Sequence, residues 1–112
     1  MHVEPQTDRD AVEALDGVHL TQLAVGDEMS IQHFRIEPGA NVPEHSHVHE
    51  QLGYLFTGTL TFLVEGEAVP ISADDSYALV SEEPHGVENR GEEVVTGIDV
   101  FSPPRANPDW AE

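Results

Sequence analysis

Short stretches in which apolar and polar residues alternate run along most of this chain and predict β-strands. The clearest stretch places Leu60, Phe62 and Val64 on one side of an extended backbone and Thr59 and Thr61 on the other. Alternate residues of a strand point to opposite faces of a sheet, so the pattern is typical of a strand with one buried face.

A second stretch puts Val94, Ile98 and Val100 opposite Asp99 and Phe101, and it predicts the three aliphatic residues as core. Turn-forming residues separate the stretches at Gly26-Asp27, Pro38-Gly39, Gly58, Glu65-Gly66, Asp74-Asp75, Gly86 and Gly91. Many short strands divided by such turns indicate an all-β sandwich or barrel.

A length of 112 residues suits one domain with one modest core. We expect an N-terminal arm or short helix over residues 1–17, a barrel over 18–105 and a C-terminal tail over 106–112. The sequence shows neither a cationic, apolar leader nor an apolar run long enough to span a bilayer, which predicts a cytoplasmic protein with no membrane partner.

The charge of the chain is extreme, because 22 acidic residues face only four basic ones and give a formal net charge of −18. Such self-repulsion is weakened by salt, which is why the composition predicts a protein from a halophile. Nucleic acid is excluded as a partner because it requires a basic patch. Cysteine is absent, so any metal must be held by histidine and oxygen ligands.

Candidate chemistry begins with His45 and His47, which are two residues apart and can share one face of a strand, about 6–7 Å from each other. Such a pair can chelate one ion. Gln51 has the same parity, but the extended chain between His45 and Gln51 spans about 20 Å. Gln51 therefore reaches the ion only if the strand bends after His47, which predicts a corner over residues 48–50.

These residues belong to a longer pattern that resembles the two motifs of the cupin superfamily: Gly39, His45, His47, Gln51, Gly58, His85 and Asn89. The resemblance implies a small double-stranded β-helix, a jelly-roll-like barrel, in which His45, His47, Gln51 and His85 hold one divalent transition metal. Gln51 stands where the family usually has glutamate, and Val80 and Glu82 replace a proline and a glycine ahead of the second motif.

The ligand set is acceptable to zinc, manganese, nickel, iron or copper. Iron oxygenases usually use two histidines and a carboxylate, so oxygen chemistry is the alternative rather than the first expectation. His49 is left to replace a ligand, to orient one or to face solvent. Tyr54 and Phe56 follow Gln51 closely and are expected either to wall the cavity or to pack in the core.

The segment from Asp99 to Arg105 supplies an acid, an aromatic ring at Phe101 and an arginine. Aspartate can move protons, and arginine can bind a carboxylate through two hydrogen bonds. This ending is similar to that of the small cupins of pectin and alginate breakdown, which convert 4,5-unsaturated monouronates from the ring to the open-chain form. The resemblance implies that Asp99, Phe101 and Arg105 contact the substrate.

We therefore expect an enzyme that opens the ring of an unsaturated uronate, a small sugar acid. The alternatives are a metal-dependent dioxygenase or other oxidoreductase, and a module that binds a sugar or small acid without turnover. We also expect a homodimer, because pairing through sheet edges would bury apolar surface that a small barrel leaves exposed.

Overall fold

The computed structural model describes residues 1–7 and 10–105, and the predicted tail over 106–112 lies outside them. The described residues form ten strands: β1 (Val12–Leu15), β2 (Val18–Val25), β3 (Ser30–Ile36), β4 (Asn41–His45), β5 (Glu50–Thr57), β6 (Thr59–Val64), β7 (Glu67–Ser72), β8 (Ser76–Leu79), β9 (His85–Glu88) and β10 (Val95–Ser102). The prediction of an all-β fold is confirmed.

The strands form two antiparallel sheets. One sheet has the order β1-β2-β3-β10-β5-β8, and the other has the order β4-β9-β6-β7. Their inner faces share one apolar core, formed by Val18, Phe34, Ile36, Ala40, Leu55, Leu60, Phe62, Leu79, Val87 and Val95. The predicted inward face of β6 is confirmed, since Leu60 and Phe62 are both buried.

The prediction of which residues of β10 face inward is wrong. Ile98 and Val100 are half-buried on the opposite face, and Val94 precedes the strand. The buried face consists of Val95, Gly97, Asp99 and Phe101. The barrel interior contains both the apolar core and a polar site, so the inner face of this strand carries an acid and cannot be recognised by hydrophobicity alone.

Two local predictions also fail. Gly86 lies inside β9 rather than in a turn, because β4 approaches so closely that a Cβ at Gly86 would lie 2.7 Å from the carbonyl oxygen of Val42. Within residues 1–17 the structure places a strand, β1, where an arm or short helix was expected, and β1 pairs with β2. The turn at Gly58, with φ of 81°, joins β5 to β6 as predicted.

Tyr54 and Phe56 lie on the outer face of β5, so they neither wall the cavity nor join the core. They alternate with the buried residues Gly53 and Leu55, and both are exposed. The part of the chain that the structure describes contains no helix of the length and apolarity needed to cross a membrane.

Candidate functional site

Three of the seven histidines come together at one end of the barrel. His45 is the last residue of β4 and pairs with His85, the first residue of β9, and His47 follows just after β4. The ring centroids of His45 and His85 are 4.6 Å apart, and those of His47 and His85 are 5.1 Å apart. One nitrogen from each ring lies within 4.8 Å of the others, which is a suitable arrangement for one ion.

Each of the three rings is oriented by a contact of the same kind, between its Nδ1 atom and a backbone carbonyl oxygen. The Nδ1 atoms of His45, His47 and His85 lie 3.0, 3.0 and 2.9 Å from the carbonyl oxygens of Pro43, His49 and Glu83, respectively. A carbonyl oxygen only accepts, so each Nδ1 carries the hydrogen, and Nε2 of the neutral ring keeps a lone pair. This is how metal-binding histidines are usually held by their second nitrogen.

The protonation states of His47 and His85 also favour metal binding. Burial lowers the pKa of His47, and repulsion from His85 lowers it more. Burial also lowers the pKa of His85, with a further decrease from His45. Both rings are therefore neutral at neutral pH, which is the form that ligates a metal.

Gln51 joins this group because the chain bends. β4 ends at His45, the backbone bends at Val48 and His49, and β5 begins at Glu50, so the predicted corner is present. The corner brings Oε1 of Gln51 to 3.1 Å from Nε2 of His47.

This contact brings two acceptors together, because the hydrogen of the His47 ring is on Nδ1. Two acceptors at this distance repel each other unless a cation lies between them or next to them. The donor set of three Nε2 atoms and one amide oxygen therefore fits a divalent metal. Among the described residues, no carboxylate belongs to this cluster.

Asp99 lies next to the histidine cluster inside the barrel, and only 7% of it is exposed. Burial raises the pKa of Asp99 to about 6, although hydrogen bonds from Tyr77 and Gln51 and the charge of Arg105 act in the opposite direction. Because Oε1 of Gln51 faces His47, its amide nitrogen is the atom that donates to Asp99. Gln51 thus connects the metal-ligand cluster to the acid, which a glutamate at this position could not do without repulsion.

Tyr77, on β8, donates a hydrogen bond from its hydroxyl to Oδ1 of Asp99. Burial raises the pKa of Tyr77 far above its ordinary value, and the charge of Asp99 raises it further. The tyrosine therefore remains protonated and donates to Asp99. The pKa of Asp99, about 6, is close to neutral pH, so its carboxylate can both accept and release a proton under these conditions.

Phe101 and Arg105 complete the predicted substrate residues. Phe101 is 2% exposed and contacts the edge of the His47 ring, and the guanidinium carbon of Arg105 lies 5.2 Å from the centre of the Phe101 ring. The backbone of Arg105 is held at both ends, since its N–H donates to Oγ of Ser30 and its carbonyl accepts from Nε2 of Gln22.

A cavity of about 400 Å³ joins these groups. Its polar lining includes residues from both sheets: Gln32, His45, Gln51, Tyr77, His85, Asp99 and Arg105. The rest of the lining is mostly apolar and includes Val18, Leu20, Phe34, Leu60, Phe62 and Phe101. A volume of this size suits a small-molecule ligand.

His49 is not part of the histidine cluster. Its ring lies 5.9 Å from that of Phe101, and its backbone carbonyl accepts the hydrogen bond that orients His47. His19 belongs to a second group with Glu13 and Glu37, whose carboxylates are exposed and already accept hydrogen bonds from Gly17 and His19. That group lines no part of the cavity around His45.

The sequence did not identify two polar residues of the cavity, Tyr77 and Gln32. Each lies in a short strand of ordinary composition, and each approaches Asp99 only through strand pairing. No spacing along the chain could have indicated this.

Comparison with known proteins agrees with the fold. The family profile of the cupin domain matches residues 32–101, which is more than half of the chain. The protein belongs to the cupin family.

The chain is 32% identical over 93 residues to the pectin degradation protein KdgF of Dickeya dadantii (strain 3937), a match that covers 82% of this chain and 84% of that protein. It is 33% identical over 69 residues to H2HPP isomerase of Bacillus subtilis, covering 62% of this chain and 29% of the isomerase. The solved structure of KdgF from Halomonas sp. superposes with a TM-score of 0.85 at 24% identity, over 96% of this chain and 97% of that one.

Proposed function

We propose that this protein is a metal-dependent cupin that opens the ring of 4,5-unsaturated monouronates. The observation that carries the proposal is the position of Gln51, which contacts His47 through its side-chain oxygen, donates a hydrogen bond to Asp99 and lines the same cavity as Asp99. A metal ion at the histidine cluster and the buried acid could therefore act on the same bound molecule. The similarity to a pectin degradation protein supports the substrate class.

His45, His47, His85 and Gln51 would hold the metal. When bound, a divalent ion acts as a Lewis acid on a sugar oxygen, and a set of four neutral ligands leaves its full charge at the site. The ion is zinc, manganese, nickel, iron or copper, all of which accept nitrogen and oxygen donors.

Asp99 would move the proton. Opening a cyclic hemiacetal breaks the bond between the anomeric carbon and the ring oxygen, removes the proton of the anomeric hydroxyl and returns a proton to the product. The reaction is an isomerisation, so one carboxylate can take the proton and give it back. A pKa of about 6 suits both steps, and Tyr77 keeps the carboxylate oriented.

Arg105 and Phe101 would position the substrate. The guanidinium group can bind the uronate carboxylate through two hydrogen bonds, and Phe101 offers an apolar surface to the sugar ring. Both side chains line the cavity that contains Asp99. The hydrogen bonds to the backbone of Arg105 hold it beyond the end of β10, at the edge of the same cavity.

Oxygen chemistry is the weaker alternative, because the histidine cluster includes no carboxylate from the described residues. A second candidate is favoured by the apolar part of the cavity. Isomerisation of a ring acid with an apolar body would suit the walls formed by Leu20, Phe34 and Phe62, and one relative is an isomerase.

The test is the loss of ultraviolet absorbance of an unsaturated galacturonate, with metal-loaded and chelated protein at high salt. We expect acceleration above spontaneous opening only with the metal. Asp99→Ala should reduce it at least about 100-fold, as expected for loss of general acid–base catalysis. Asp27→Ala, which removes an exposed aspartate between β2 and β3, is the matched control and should have no effect.

Full activity of Asp99→Ala would refute the mechanism. Thermal stabilisation by the sugar acid without product would favour the binding module, and oxygen consumption by iron-loaded protein would favour the oxygenase.

A further inference from the structure

Gln32 is a buried polar residue for which the proposed reaction has no role. It lies on β3, on the inward face that also carries Ser30, Phe34 and Ile36. Only 5% of Gln32 is exposed, and it lines the cavity described above. An amide in such apolar surroundings requires hydrogen-bond partners.

The side-chain oxygen of Gln32 has no such partner. Oε1 is buried, and no donor among the described residues reaches it. The neighbouring glutamine is different: Gln22, paired with Gln32 across β2 and β3, donates from its amide to the carbonyl oxygen of Arg105. The two glutamines are neighbours in the sheet, but only the amide of Gln22 makes a hydrogen bond that supports the fold.

Gln32 is also placed next to the acid. Strand pairing puts it directly opposite Asp99, and both residues face the cavity. Directly paired residues of antiparallel strands have Cβ atoms about 4.5–5.5 Å apart. A ligand that contacts Asp99 is therefore within reach of the Gln32 amide.

We propose that Gln32 is a substrate-binding residue whose terminal amide rotates to accept a hydrogen bond from a ring hydroxyl of the ligand and so makes the cavity selective for hydroxylated ring acids. This inference rests on the proposed function, because a monouronate is such an acid. It also explains how a largely apolar cavity can prefer a sugar. Without this acceptor, a ring acid lacking hydroxyls would fit the same walls, whereas a site built to bind a hydroxyl rejects the ligand that lacks it.

The test compares two probes that share a six-membered ring and a carboxylate, namely galacturonate and cyclohexanecarboxylate. Their affinities for zinc-loaded protein are measured by calorimetry, which requires no turnover. We expect the wild-type protein to prefer galacturonate. Gln32→Met should weaken galacturonate binding about tenfold or more and leave cyclohexanecarboxylate unchanged or tighter. An unchanged ratio of the two affinities, or no preference in the wild-type protein, would overturn the inference.

Thermal unfolding separates a ligand contact from a structural role. Gln32→Met removes an unpaired buried amide, so we expect its melting temperature to equal or exceed that of the wild-type protein. Gln22→Met is the matched control and should melt lower, because it removes a hydrogen bond that is made. A fall for Gln32→Met as large as that for Gln22→Met would contradict the inference. Gln32→Leu repeats the test if the methionine variant does not fold.

The two proposals fail separately. Galacturonate binding that depends on Gln32, with no accelerated loss of absorbance from the unsaturated uronate, would leave this inference standing and refute ring opening. Metal-dependent ring opening by the wild-type protein, with the same ratio of galacturonate to cyclohexanecarboxylate affinity in Gln32→Met, would support ring opening and refute the role of Gln32.

Discussion

Tyr77 reaches Asp99 across the backbone of Gly53. The three residues are neighbours in register on β8, β5 and β10, and all lie on the inner side of the sheet. A Cβ built on Gly53 would lie 2.0 Å from Cζ of Tyr77 and 2.2 Å from its hydroxyl oxygen. The hydrogen bond between Tyr77 and Asp99 therefore exists only because the residue between them has no side chain.

Gly53→Ala should abolish this hydrogen bond and lower kcat for the proposed reaction to the level of Tyr77→Phe. Loss of one hydrogen bond to the acid corresponds to about a tenfold change, and KM should change little because neither residue is assigned to substrate binding. Steady-state kinetics of both variants provide the measurement. Gly91→Ala is the control, since its Cβ would make only an ordinary contact of 3.6 Å. Full kcat in Tyr77→Phe would contradict this role.

In metal-free protein, Asp99 should make stability depend on pH. Burial raises the pKa of Asp99 from 3.8 to about 6 on folding. The folded state thus holds the proton of Asp99 more tightly than the unfolded state does. The protonated carboxyl contributes to stability at low pH, and this contribution is lost as the pH rises through about 6. A shift of about two pKa units corresponds to about 3 kcal/mol.

Asp99→Asn cannot ionise, so its free energy of unfolding should increase relative to the wild-type protein by up to about 3 kcal/mol between about pH 4 and pH 7.5. Urea unfolding of both proteins in the presence of chelator gives this difference. Repulsion among the other acidic groups is common to both and cancels. A difference that stays constant over the whole pH range would show that Asp99 ionises normally in the folded protein.

Metal binding should require His85 and should stabilise the fold. A ligand present at a hundredfold excess over its Kd raises the free energy of unfolding by about 2.7 kcal/mol, so added metal should raise Tm. We expect one ion per chain by elemental analysis and none in His85→Ala. His2→Ala, at an exposed histidine whose ring lies 3.0 Å from the carboxylate of Glu4, is the control. Equal metal content in His85→Ala and the wild-type protein would place the ion elsewhere.

Salt should stabilise the protein if the acidic surface is an adaptation to a halophile's cytoplasm. The net charge of −18 is repulsive at low salt, whereas the screening length falls from about 10 Å at 0.1 M to about 3 Å at 1 M. We expect Tm to rise by about 5 °C or more over this range. A double variant, Glu92→Gln with Glu93→Gln, should raise Tm at low salt and have little effect at high salt. An unchanged Tm would remove the basis for the halophile prediction.

A homodimer remains a prediction, and the structure suggests the outer face of β5 rather than a sheet edge. Leu52, Tyr54 and Phe56 are exposed by 50%, 37% and 46% there. We expect light scattering in molar salt to give twice the chain mass, and Leu52→Glu with Phe56→Glu to give the monomer. Val69→Glu, which changes an exposed apolar residue of β7, is the control. A monomeric wild-type protein would contradict the prediction.

Much of the fold followed from local pattern. Alternation at Leu60 and Phe62 and the turn at Gly58 were sufficient to predict β6 and its buried face, because both signals lie within a few residues. The pattern failed at β10, where the buried face contains Asp99, and at Gly86, where close approach of β4 requires a glycine inside a strand. In both cases the deciding contact is with a strand distant in the sequence.

The sequence by itself determined the donor types, the acidity and the β-strand periodicity, since these depend on residue identity and on spacing along one strand. Only the tertiary structure decided which side chains meet. Register pairs Asp99 with Gln32 and Gly53, and through Gly53 with Tyr77. A shift of one residue in any of these strands would turn its side chains to the other face. Register is therefore set by the packing of the whole barrel, which no short segment of the chain encodes.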